Sequence, residues 1–124
     1  MIAEGPPSRL LEKAIDGEVE LVFPEIVRSE LHRVLGAKLG FTPERATDGC
    51  ELIERVAAER PGAPRRIEAI TGDPADDAIL ASAVEADVDI LVTGDRKHVL
   101  PLGRHRGIRI LTPQALLAEL LTPS

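Results

Sequence analysis

The stretch "DPADDAILASAVEADVDILVTGDRKHVL", Asp73–Leu100, decides how this chain is read. It opens with an aspartate followed by proline, a favoured start for a helix. Apolar residues then recur at helical spacing through Ile79, Leu80, Ala83 and Val84. The pattern changes at "VDILVT" (88–93), a short apolar run of strand type that ends abruptly in Thr-Gly-Asp. Helix 73–86, strand 88–93 and a carboxylate at the strand's end together describe half of an α/β unit. In such sheets ligands gather beyond the carboxyl ends of the strands. Asp95 has that position, although Thr-Gly-Asp is also an ordinary way to begin a turn.

Outward from this stretch the same alternation continues. Helices are expected at 6–17, where prolines open and Gly17 closes the segment, and at 24–40, from Pro24 to Gly40. A third is expected at 42–62, where Thr42 is a good N-cap and Pro43 suits the first helical position. A last one is expected at 112–121, again capped by threonine. "EVELVF" (18–23) and "IRILT" (108–112) read as strands, and "RRIEAIT" (65–71) as a possible short one. Strands separated by helices predict an α/β fold with a mainly parallel sheet flanked by helices. The chain of 124 residues suits one domain spanning 1–124.

Bulk properties narrow the function. The chain is 44% hydrophobic and 29% charged, as soluble globular proteins are. No apolar run reaches membrane-spanning length, so a cytoplasmic location is expected. Cys50 is the only cysteine, which excludes an internal disulfide and a thiolate metal cluster. The histidines, His32, His98 and His105, match no zinc spacing. The net charge of −6 gives no overall attraction to nucleic acid. With two Phe and no Trp or Tyr, there is almost no surface on which bases could stack. A protein that grips phosphates through a bound cation escapes both objections.

Helical geometry sorts the acids. At about 100° per residue, Asp76 projects into the middle of the apolar stripe of its helix, and Asp77 falls at the far margin. Asp76 either reinforces the helix N-terminus beside Asp73 or binds something. Glu30 lies at the edge of the stripe formed by Val27, Leu31, Val34, Leu35 and Leu39. Its plain reading is a surface glutamate paired with Arg33. Taken together, Glu30, Asp76 and Asp95 outline an acidic pocket of hard oxygen ligands, suited to Mg²⁺ or Mn²⁺.

The segment Asp73–Leu102 resembles the C-terminal half of PIN domains, closest to the VapC-like toxins of toxin–antitoxin pairs. The matching features are the acid opening the helix (Asp76), an alanine seven residues later (Ala83) and the strand ending in Thr-Gly-Asp (Asp95). "LVFPEIVRSELHRVL" resembles the helix that carries the family's glutamate ligand, here Glu30, and "GIRILTPQALLAEL" its last strand and helix. The resemblance implies a three-layer α/β sandwich and a metal-dependent ribonuclease. In it Glu30, Asp76 and Asp95 hold Mg²⁺ or Mn²⁺, Thr93 positions a ligand or water, and Arg96, Lys97 and His98 grip RNA phosphates. The plain reading of the last three is an exposed basic turn. An antitoxin protein and a homodimer are the implied partners.

The family also opens with a strand ending in an aspartate. Family-like sequence starts here at about "GPPSRLL", and no aspartate precedes Asp16. The expectation is therefore a PIN-like domain whose N-terminal strand and first acid are missing. That leaves a second reading, a non-catalytic, degenerate PIN domain that binds an antitoxin or RNA. A phosphatase-like metal enzyme would need a nucleophilic aspartate on an early strand, which is not found.

Overall fold

Proline after a capping residue sets three of the helix starts. In the computed structural model, which describes residues 6–93 and 99–121, the element order is α1 (Pro6–Ile15), α2 (Glu25–Leu39), α3 (Pro43–Val56), α4 (Pro74–Glu85), β1 (Ile90–Val92), a 3-10 turn (Leu100–Leu102), β2 (Arg104–His105), β3 (Ile108–Leu111) and α5 (Pro113–Leu121). The Thr42 hydroxyl accepts from the Arg45 amide at 3.2 Å, Asp73 caps α4, and the Thr112 hydroxyl accepts from the Ala115 amide at 3.1 Å. Each cap satisfies an amide that the helix leaves unpaired, and the following proline has no amide to satisfy. None of the described helices is long and apolar enough to cross a membrane.

The chain divides into two compact units, Met1–Ala63 and Pro64–Ser124. In the first, α2 and α3 form a helical hairpin. Gly40 ends α2 in the left-handed region at φ +70°, and the amides of Gly40 and Phe41 return to the carbonyls of Gly36 and Leu35. Glycine carries this conformation without a Cβ clash. Leu35, Ala46 and Cys50 are buried between the two helices. A Cβ at Gly49 would lie 3.2 Å from Leu35 Cδ1, so the glycine permits this approach. Leu11 of α1, Phe23 and Ile53 form the adjoining core.

The expected strand 18–23 does not form. Residues 21–25 and 57–61 run side by side, held by Ala58 N–H to Leu21 O (2.8 Å), Phe23 N–H to Glu59 O (2.9 Å) and Glu25 N–H to Pro61 O (2.9 Å). Only Val22 and Glu59 make a parallel bridge. Pro24 and Pro61 lack the amides that would extend it. The third helix also stops at Val56, short of the expected 62.

In the second unit the sheet order is β1-β3-β2. β1 pairs parallel with β3, Leu91 beside Ile110, while β2 pairs antiparallel with β3. The sheet is thus mixed among the described residues, where a mainly parallel one was expected. The addition is the β2–β3 hairpin, turned by Arg106 and Gly107 at φ +49° and +82°. Positive φ at both central residues suits the twist of a two-residue hairpin. Leu80 of α4, Val99 and Ile110 form the core, with Ile70, Leu91, Leu100 and Leu102 packed against them. The connection from α4 to β1 is short, and Leu91 packs on the cluster that contains Leu80.

Ser82, on the inner side of α4, is 1% exposed, and its hydroxyl has no hydrogen-bond partner among the described residues. Burying an unsatisfied hydroxyl is unfavourable, and alanine is the better helix former. Ser82→Ala is expected to raise unfolding stability by about 1 kcal/mol, measured as a higher urea midpoint with an unchanged denaturant slope.

Candidate functional site

The start of α4 is built around carboxylates. Asp73 Oδ1 accepts from the Ala75 amide at 2.8 Å and the Asp76 amide at 3.4 Å. Asp77 reaches back to the preceding segment. Its Oδ1 accepts from the Ile70 amide (3.0 Å), the Thr71 amide (2.8 Å) and the Thr71 hydroxyl (2.9 Å). Thr71 Oγ1 lies 3.0 Å from the Asp73 carbonyl and accepts from the Asp73 amide at 3.1 Å. Gly72, at φ +85°, makes the tight turn between them. The Thr71 amide, then the Ile70 amide and Thr71 hydroxyl, hold the Asp77 carboxyl below its ordinary pKa, against the opposing effect of burial.

This corrects the assignment of faces on α4. Asp77, expected at the far margin, is 6% exposed, while Asp76 is half-buried. The buried residues of α4 are Asp77, Leu80, Ala81, Ser82 and Ala83, so the helix is covered around much of its girth and has no single apolar stripe. The same contacts explain why "RRIEAIT" forms no strand: the amides of Ile70 and Thr71 go to a carboxylate instead of a neighbouring strand. Sequence reasoning missed both Thr71 and Asp77 as a network. The available signal was a threonine two residues before an N-cap aspartate, a spacing that favours local hydroxyl–backbone bonds.

Thr93 follows β1 directly, is half-buried, and its amide donates to the Leu111 carbonyl at 3.0 Å, extending the parallel pairing. Asp95, Arg96, Lys97 and His98 lie outside the described residues.

Glu30 belongs to the first unit, on an exposed face of α2. Arg33, one turn on, takes both of its oxygens, with Nη2 to Oε1 at 2.6 Å and Nε to Oε2 at 3.2 Å. This fork raises the Arg33 pKa, chiefly through the hydrogen bond. Both side chains are more than half exposed, where ion pairs contribute little. Among the described residues no three His, Cys, Asp or Glu side chains form a group able to hold a metal ion. The chemistry of the expected ligands still fits a hard cation: all are carboxylates, with no thiolate or imidazole.

The comparisons give one result. A family model described as PIN domain matches residues 1–97, which runs through both units to the end of β1 and beyond. No curated protein and no solved structure matches the chain.

The lowered Asp77 pKa has a definite sign in stability. A carboxyl with a depressed folded-state pKa contributes fully above its unfolded value, near 3.9, and loses that contribution as pH falls through the folded value. In EDTA, urea unfolding is therefore expected to weaken more steeply below about pH 4 in the unmodified protein than in Asp77→Asn. Parallel curves for the two proteins would contradict this.

Proposed function

The chain belongs to the PIN domain family, a nuclease-type fold, and from that premise we propose that it is a metal-dependent ribonuclease hydrolysing RNA phosphodiester bonds. Within that class we assign it the role of a VapC-like toxin, acting in the cytoplasm and held in check by a small antitoxin protein. On this reading both units make one PIN domain over 1–124, layered as an α/β sandwich, and a homodimer is the expected assembly. The observation that carries the reading is the family match. It runs unbroken through the helices bearing Glu30 and Asp76 and the strand leading to Thr93 and Asp95.

Glu30, Asp76 and Asp95 are the proposed ligands for Mg²⁺ or Mn²⁺. When bound, such an ion supplies the Lewis acidity that activates water and offsets charge on the departing oxygen. The chain's own contributions are positional. Asp76 is offered from a helix start already fixed by Asp73 and Asp77. Thr93, at the end of β1, has a hydroxyl suited to orienting a water or a phosphate oxygen. Arg96, Lys97 and His98 follow Asp95 closely enough to grip the phosphates flanking the cleaved bond. The Glu30–Arg33 pair is exposed, so it opposes cation binding by Glu30 only weakly.

A second reading keeps the fold without the catalysis. On it the chain is a non-catalytic PIN domain that binds an antitoxin or RNA. Cleavage of single-stranded RNA with Mn²⁺ separates the two. The ribonuclease reading expects Glu30→Gln, Asp76→Asn and Asp95→Asn each to lower the rate by about 100-fold or more, since even residues behind metal ligands cost 10- to 100-fold. Equal, negligible rates for the unmodified protein and all three variants would leave the binding protein.

A further inference from the structure

Three helices of this chain begin with a capping side chain followed by proline, and two of them stop there. Thr42 caps α3 and Thr112 caps α5, each through one hydroxyl. At α4 the cap is only the inner layer. Asp73 holds the Ala75 and Asp76 amides. Behind it, the Thr71 hydroxyl accepts from the Asp73 amide and donates to Asp77 Oδ1, which also accepts from the amides of Thr71 and Ile70. The Asp77 amide in turn donates to the Asp73 carbonyl at 2.9 Å, which closes the circuit. Asp76 lies inside this loop of bonds, between Asp73 and Asp77, and its own amide is one of the bonded groups.

A buried carboxylate is an expensive way to start a helix when a threonine suffices. The additional layer ties the backbone of residues 70–77, from which the Asp76 side chain projects, at both ends. We propose that Thr71 and Asp77 are positioning residues for the Asp76 carboxylate, holding it in the orientation in which it binds a divalent cation. The inference rests on the reading of Asp76 as a metal ligand. Neither residue touches the cation. Thr71 acts through Asp73, and Asp77 acts through the upstream backbone. Residues behind the ligands of a metal site commonly set its affinity without touching the ion.

The test measures Mn²⁺ affinity of the full chain by calorimetry, alongside kcat and KM for single-stranded RNA. Thr71→Val keeps the side chain's shape and removes its hydroxyl. It is expected to weaken Mn²⁺ binding by about 10- to 100-fold and to raise the Mn²⁺ concentration needed for cleavage, with KM for RNA unchanged. Thr71→Ser restores the hydroxyl and is expected to restore affinity. Ile110→Val, a core change in the same unit, destabilises without touching the network and should bind Mn²⁺ normally.

Three results would overturn the proposal. Thr71→Val could bind Mn²⁺ as the unmodified protein does while Asp76→Asn does not. Ile110→Val could weaken binding as much as Thr71→Val, which would make the effect one of stability. Asp77→Asn could abolish binding while Thr71→Val leaves it intact, which would make Asp77 itself a ligand. Unchanged affinity in Asp76→Asn is a separate result: it removes the assignment of the site, and the positioning role with it.

Discussion

One carboxylate oxygen, Oδ1 of Asp77, receives the amides of Ile70 and Thr71 and the hydroxyl of Thr71. The second unit depends on that convergence. A buried charge is tolerable only where donors replace the water it loses. The donors here come from the segment just before the helix, so satisfying the charge also fixes the chain's entry into α4. Leu80 is one turn further along, on the same side as Asp77, and forms the core with Val99 and Ile110. An α4 rotated out of this position would lose both the carboxylate's donors and the leucine's contacts. Polar and apolar requirements select the same register, which is the consistency expected of a sequence that specifies one structure.

Local signals made most of the fold legible. Cap-and-proline pairs at 42–43, 73–74 and 112–113 marked three helix starts, and Gly40 marked the end of α2. The apolar runs of β1 and β3 also read correctly. Two of the errors share a cause: the partner of an extended segment is not written in the segment itself. "EVELVF" has strand composition, yet its neighbour at 57–61 ends in proline and supplies a single bridge. "RRIEAIT" found a carboxylate where a strand was expected. β2 escaped notice because "GRHRGIR" carries no apolar alternation, and its turn is Arg-Gly in place of the Asn-Gly or Asp-Gly that usually announces a hairpin.

The site was legible only in part, for a related reason. Periodicity assumes that a helix has one wet face and one dry face. α4 is covered on several sides, so angle alone could not rank Asp76 against Asp77. Glu30 shows the opposite case. Its plain reading, a pair with Arg33 one turn on, follows from sequence spacing and is what α2 displays. A functional role for Glu30 therefore has to come from the family relationship, because nothing in the exposed face of α2 distinguishes it.

The charge distribution limits how such a protein could hold RNA. The chain carries 21 acidic and 15 basic side chains, and among the described cations Lys13, Arg28, Arg33, Arg106 and Arg109 are already paired with glutamates. Long-range attraction of a polyanion is therefore weak. Stacking offers little help, since the chain's two aromatic residues are Phe23, which is buried, and Phe41, which lies under the Arg45 guanidinium. Local phosphate contacts remain, made through a bound cation and through basic residues close to it. From Arg96 to Ala118 the sequence has five Lys or Arg and no acid, directly after the Thr-Gly-Asp that ends β1. In sequence, the longest stretch free of acids begins directly after Asp95, one of the carboxylates proposed to hold the cation.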